Sequence, residues 1–205
     1  MFNFPASIVN TMSLELPSLM LLALYDSEVV GFYALANMLV VLPGSLISDS
    51  MGQAYIGEAS KMVREKSREL RSLYVRTLKH LSMIAIPLIG IPALCAPFVV
   101  PIVFGEVWVE AGWYCWPLAL ATIMGFVVSP TSFLSLYGYN WWQLIWDINR
   151  TIWVVIGFYI CYILGFSALI ALLIYSGIRV LMNVILVILN IKAISNFLNG
   201  TSSGS

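Results

Sequence analysis

The chain has 205 residues, 60% of them hydrophobic and 10% charged, with a mean hydropathy of +0.93. A soluble domain is typically about 45–50% apolar and about 25% charged, and a water-exposed surface needs that charge, so the composition excludes an ordinary soluble fold. The formal net charge is zero, which removes any global field that would draw nucleic acid or an acidic partner.

Met1-Phe2-Asn3-Phe4-Pro5 lacks the basic n-region of a signal peptide, and no small-residue cleavage site follows the first apolar run. A helix needs about 20 apolar residues to cross a hydrocarbon core of about 30 Å, with every backbone polar group satisfied internally. Six stretches qualify in chain order: 4–24, interrupted only by Glu15; 29–48; 81–104; 112–136, without a charge; 142–164; and 167–191. The last two belong to one apolar run broken only by Asp147, Arg150 and Arg179. As a single helix that run would be about 75 Å long, so it must fold back, and Gly165 with Ser167 is the predicted turn. The expected fold is an all-α integral membrane protein with six transmembrane helices spanning residues 1–192, followed by a flexible tail, 193–205.

Orientation follows from the basic residues. Seven of the ten Lys and Arg lie between the second and third stretches: Lys61, Arg64, Lys66, Arg68, Arg71, Arg76 and Lys79. The positive-inside rule places them, and with them both chain ends, in the cytoplasm. Lys192, past the last stretch, agrees. The opposite side receives Asp26, Glu28, Glu106 and Glu110 and no Lys or Arg. Residues 59–81 hold no Gly or Pro, and Val63, Leu70, Tyr74, Leu78 and Leu81 fall at helical spacing. Segment 59–80 is therefore predicted as a basic cytoplasmic helix extending the third span. It reads as a solvated amphipathic helix and, compatibly, as a landing strip for anionic lipid headgroups, at about 1 kcal/mol per basic residue near the surface.

Several short motifs follow one another along the chain. Gly31-Phe32-Tyr33-Ala34-Leu35-Ala36-Asn37 opens the second stretch, and Gly52-Gln53-Ala54-Tyr55 with Glu58-Ala59-Ser60 leads into the basic segment. Phe104-Gly105, Trp108, Ala111-Gly112 and Tyr114 come next, then Ser129-Pro130 and Gln143 with Trp146-Asp147 and Arg150. In that order the text, over residues 5–191, resembles the C-terminal half of O-antigen-type oligosaccharide flippases, in the multidrug/oligosaccharidyl-lipid/polysaccharide exporter superfamily. The resemblance implies two helical lobes around a central cavity. It also implies transfer of a polyprenyl-pyrophosphate-linked oligosaccharide to the outer leaflet of the inner membrane by alternating access, without a covalent intermediate. Six spans make one lobe, so a second, N-terminal-type lobe in the same or another chain is the implied partner, beside the bilayer and the lipid-linked oligosaccharide. The chain is then a fragment, a truncated product or a half-transporter. A half of a cation-coupled multidrug exporter of the same superfamily is the alternative, and a non-catalytic membrane subunit another.

Ionisable groups inside a bilayer are expensive and need a reason. Glu15 lies near the middle of the first stretch and Arg179 near the middle of the sixth, with Asn183 one turn further on the same face. Two readings are open: a buried Glu15–Arg179 pair, or Arg179 facing a cavity for the lipid pyrophosphate, with Glu15 tuning it or binding a coupling cation. Asp147 and Arg150, three residues apart, are expected to pair with each other, and the Arg150 fork also suits a phosphate. Asn37 and Gln53 are polar groups of the second span and its extension, read as helix glue or as substrate contacts. Gly44, Ser48 and Gly52 make a small-residue face for helix packing. No Ser/His/Asp set, Gly-rich phosphate loop or metal-ligand spacing is evident, and Cys95, Cys115 and Cys161 read as small hydrophobes. Transport without enzymatic chemistry, cofactor or metal is the expectation.

Overall fold

The structure, a computed structural model, describes residues 15–202, and these are helical with turns and no strand. Residues 1–14, which include most of the expected first span, and the last three residues of the tail lie outside the described residues. The helices are α1, Glu15–Leu24; α2, Ser27–Arg64; α3, Leu70–Ala85; α4, Ile91–Phe104; α5, Val109–Val128; α6, Asn140–Ile163; and α7, Ala168–Ser202. A π-helical turn, Ile86–Gly90, joins α3 to α4 without a break in direction, so that Leu70–Phe104 makes one apolar rod. Pro87 and Pro92 explain the widened turn: each removes a backbone donor, and the ladder re-registers around it.

Five described helical rods are long and apolar enough to cross a bilayer, and α1 adds a shorter apolar helix. The chain is thus a multi-pass, all-helical membrane protein. α5 is its centre, packing on α2, α4 and α7, while α6 packs mainly on α7. Burial agrees: 61% of the apolar window of α5 is buried, against 29–39% in the other four rods. Large apolar side chains such as Phe98, Ile102 and Val103 on α4, and Trp153 and Ile163 on α6, stand exposed. That is the pattern of a protein whose solvent is hydrocarbon.

Small residues set the closest approaches. A Cβ on Gly112 would come within 2.8 Å of the Pro97 Cα and 2.9 Å of the Ala96 carbonyl oxygen, so α4 and α5 touch backbone to backbone there. Gly44 sits against Phe126 of α5, and Gly52 against Pro130 just beyond it. α5 ends at Val128, followed by short 3-10 turns at Ser129–Thr131 and Leu134–Tyr137, so its regular helix stops short of the 136 expected. The reversal between α6 and α7 is at Gly165, whose φ of 68° lies in the left-handed region that glycine adopts without steric cost.

The basic segment departs from expectation. It is not one helix over 59–80. α2 runs on to Arg64, 38 residues or about 57 Å, and α3 starts afresh at Leu70. The turn falls at residues 65–69, Glu-Lys-Ser-Arg-Glu, where no apolar residue is available to hold a helix face on the core. Lys66 takes the left-handed conformation, φ 51°, at a cost of roughly 1–2 kcal/mol for a residue with a Cβ. The basic residues therefore divide between the end of α2, the turn and the start of α3. The apolar positions Leu70, Leu73, Tyr74 and Leu81 are buried. Tyr74 meets Tyr55 edge-on in an aromatic cluster where the Tyr55 and Tyr137 hydroxyls lie 3.3 Å apart and Phe133 stacks on Tyr55. Burial raises the Tyr137 phenol above its ordinary range, partly offset by the Tyr55 hydroxyl, so it stays neutral.

Candidate functional site

α7 carries Ser176, Arg179, Asn183 and Asn190, spaced by three, four and seven residues, which a 3.6-residue turn places on one face. Ser176, Asn183 and Asn190 are buried. α6 contributes Gln143, Asp147 and Arg150 at spacings of four and three. Asp147 and Arg150 are 3% and 8% exposed, so the seam between the two last helices is polar at its heart although both helices are apolar outside.

Asp147 and Arg150 form an ion pair, Nη2 to Oδ1 at 3.3 Å. Gln143 Nε2 donates to the other carboxylate oxygen at 3.4 Å. The Arg150 guanidinium lies 4.7 Å from the centre of the Trp146 ring, and Trp146 Nε1 donates to the Met182 carbonyl at 2.7 Å, tying α6 to α7. This subset is held from several directions and is well suited to keep its geometry in low dielectric.

Arg179 is held more loosely. Its Nη1 donates to the Tyr175 hydroxyl at 2.9 Å, one turn earlier on α7. Its Nη2 lies 3.6 Å from where a Cβ on Gly125 would stand, an ordinary contact distance, so the guanidinium rests against α5 there. Among the described residues its buried Nε has no hydrogen-bond partner, and neither has the Ser176 hydroxyl oxygen. Arg150 lies within electrostatic reach of Arg179, so the seam gathers two positive charges and, from Asp147, one negative charge.

The Glu15–Arg179 pair, one of the two open readings, is not among the ion pairs of the described residues. Glu15 is exposed on α1 and lines a recess of about 320 Å³ between α1 and α2, with Ser18, Tyr33 and Asn37. The two groups remain linked through Tyr33 of α2, which lies within electrostatic reach of both. Tyr33, which lines the recess of Glu15 and Asn37, is thus the side chain that connects it with Arg179. Gln53 is not part of it, being exposed on α2 sixteen residues past Asn37, about 24 Å along the axis. Lys61, Arg64, Lys66, Arg68, Arg71, Arg76 and Lys79 are all exposed. Four of them, Arg68, Arg71, Arg76 and Lys79, line one open groove of about 530 Å³ along α3.

Sequence reasoning passes over Tyr33, Tyr175, Ser176 and Asn190. The helical spacing on α7 would have found Ser176 and Asn190. Nothing local marks the tyrosines, because both sit in apolar runs where an aromatic is the commonplace filler.

A family model described as polysaccharide biosynthesis protein matches residues 2–112, more than half of the chain. The chain belongs to that family. The match runs from the N-terminal residues through α4 into the start of α5, so it contains the recess of Glu15 and Asn37 and the basic groove. α6 and α7, with Arg150 and Arg179, lie beyond it. Searches of curated proteins and of solved structures found no match.

Proposed function

We propose that this polysaccharide biosynthesis protein is one lobe of a flippase that carries a polyprenyl-pyrophosphate-linked oligosaccharide across the cytoplasmic membrane, with both chain ends and the basic turn in the cytoplasm. One observation carries the reading: a mid-span arginine, Arg179, whose Nε–H is buried and has no hydrogen-bond partner among the described residues, in a seam where two guanidinium groups and one carboxylate meet. Arg179 is the twelfth residue of α7, about 17 Å from its outer end and so near the middle of a hydrocarbon core of about 30 Å. A spare buried donor beside excess positive charge is a place for an anion. A pyrophosphate cannot cross hydrocarbon unpaired, and guanidinium forks match its oxygens.

The role of each residue follows. Arg179 and Arg150 are charge partners of the headgroup, and Asp147 holds Arg150 in place. Asn183 and Asn37 offer hydrogen bonds, and Glu15 at the recess tunes the local field. No bond is made or broken in this scheme. A cation-coupled drug exporter would instead present an acidic or apolar seam, and the arginine excess favours the flippase. One lobe encloses half a cavity, so an N-terminal-type lobe is its partner.

The test is surface glycan in a flippase-deficient strain supplied with this chain and an N-terminal-type lobe. Restored glycan is expected, and a strain that stays bare although both chains reach the membrane would overturn the reading. Orientation is checked separately. A reporter that fluoresces only in the cytoplasm, fused after Ser205, should light up; a dark fusion beside an active periplasmic reporter reverses the topology.

A further inference from the structure

The end of the molecule opposite the basic turn holds a second recess, of about 370 Å³, that the transport scheme above does not use. It forms where the α1–α2 corner, the start of α5 and the α6–α7 turn meet, and it is lined by Tyr25, Glu110, Trp113 and Ser167 among others. Its size is within the range of small-ligand sites, about 300–1,000 Å³. Its lining is mostly apolar, with a few polar groups set into it. Trp113 is 42% exposed, its ring edge-on to Trp116 with 5.4 Å between centroids, and Tyr25 is half-exposed beside it.

The polar groups are fixed in place. Tyr114, buried, donates its hydroxyl to Glu110 Oε2 at 3.2 Å, which anchors an otherwise exposed carboxylate. Tyr25 donates to the Phe166 carbonyl oxygen at 3.2 Å, which fixes its ring across the α6–α7 turn. A flat apolar ring, a hydroxyl and a carboxylate held around one shallow hollow suit a molecule with an apolar face and a rim of hydroxyl donors. A pyranose has both. Its C–H face packs on an aromatic ring, which supplies apolar area and a polar edge together, and its hydroxyls donate to the carboxylate in charge-assisted hydrogen bonds. The field adds selectivity. Asp26, Glu28, Glu106 and Glu110 are the charged residues of this end, with no Lys or Arg among the connecting residues there, so a sugar carrying its own carboxylate is repelled.

We infer that this recess is a sugar subsite, in which Trp113 stacks on and Glu110 accepts hydrogen bonds from a neutral sugar residue of a glycan at the outer membrane face. It deepens the transport reading and rests on it for the biological source of the glycan, as a place where the headgroup is received once across.

The test is saturation-transfer NMR on the full chain in lipid nanodiscs, with N,N′-diacetylchitobiose and lactose as neutral probes and digalacturonate as the acidic one. Neutral probes should give signal and digalacturonate none. Trp113→Ala should cut the neutral signal about 3- to 10-fold, the loss of one aromatic contact, while Trp113→Phe keeps most of it. Glu110→Gln should let digalacturonate in, a change that a merely structural role for Glu110 would not produce. Absence of signal from both neutral probes, or equal signal from the parent and Trp113→Ala, overturns the subsite. Arg179→Ala separates the two proposals, since it should leave sugar binding intact. Trp113-dependent binding with no restoration of surface glycan would sink the flippase reading and leave the subsite standing. Restored glycan with Trp113-independent binding would do the reverse.

Discussion

The chain keeps two populations of positive charge, and they live under different physics. Arg150 and Arg179 sit inside the helical bundle, one paired with Asp147 and stacked on Trp146, the other bonded to Tyr175, its Nε without a partner among the described residues. The seven cations of the 61–79 segment stand exposed around the turn from α2 to α3. In water a unit charge costs little to keep and gains little by pairing. At mid-bilayer the same group costs about 2.5–3.5 kcal/mol on insertion scales, so it persists only with partners or a task. The difference teaches where to look for function: not where the charges are many, but where one is dear and incompletely satisfied.

Removing the interior charge should therefore do the most. With this chain and an N-terminal-type lobe in a flippase-deficient strain, Arg179→Ala should abolish surface glycan while the protein reaches the membrane at parental level. Arg179→Lys should keep part of the activity, because the charge survives while the planar fork is lost. If Arg179→Ala and Arg150→Ala both complement as well as the parent, the interior arginines are structural and the contrast reduces to burial.

Next in size is the pair itself. Asp147→Ala takes the carboxylate from a buried guanidinium, and breaking a buried pair from one side costs about 3–5 kcal/mol. The midpoint of denaturant unfolding in detergent should fall accordingly. The double variant Asp147→Ala/Arg150→Met should lose clearly less than the two single losses added, since the orphaned charge goes with its partner. Additive losses would show that the two side chains are not coupled.

What was legible in the sequence divides along the same line. The membrane class, the all-helical fold and the rough position of the apolar runs follow from hydropathy, because a bilayer forbids most other solutions. Asp147 and Arg150 were legible as a pair because three residues on a helix fix their proximity before any tertiary contact exists. Glu15 with Arg179 was not: they lie far apart in sequence, and equal depth says nothing about which way each helix is turned. The turn at 65–69 escaped for a different reason. It has neither Gly nor Pro, and α2 and α3 each carry helical periodicity up to it, so the pattern looks continuous across a reversal. The outer recess was out of reach because it is assembled from three separate corners of the chain.

The smallest expected effects belong to the surface population, and they sharpen the contrast from the other side. Arg68 of the turn and Arg71, Arg76 and Lys79 of α3 line one groove, which the proposed topology sets at the cytoplasmic leaflet. Each should contribute about 1 kcal/mol toward an anionic surface and fade within a Debye length. The fourfold variant Arg68→Gln/Arg71→Gln/Arg76→Gln/Lys79→Gln should fold, since the buried positions Leu70, Leu73, Tyr74 and Leu81 on the opposite side are untouched. The parent should unfold at a higher temperature in nanodiscs containing phosphatidylglycerol than in phosphatidylcholine alone, and the fourfold variant should lose most of that difference. Added salt should erase it in the parent too, because exposed charges are screened. Lys79→Gln alone should move stability by no more than about 0.5 kcal/mol in either lipid, the usual range for an exposed substitution away from any special contact. A single surface substitution as damaging as Asp147→Ala would mean that the basic face is a built site rather than a diffuse one, and the division between costly interior charge and inexpensive surface charge would fail.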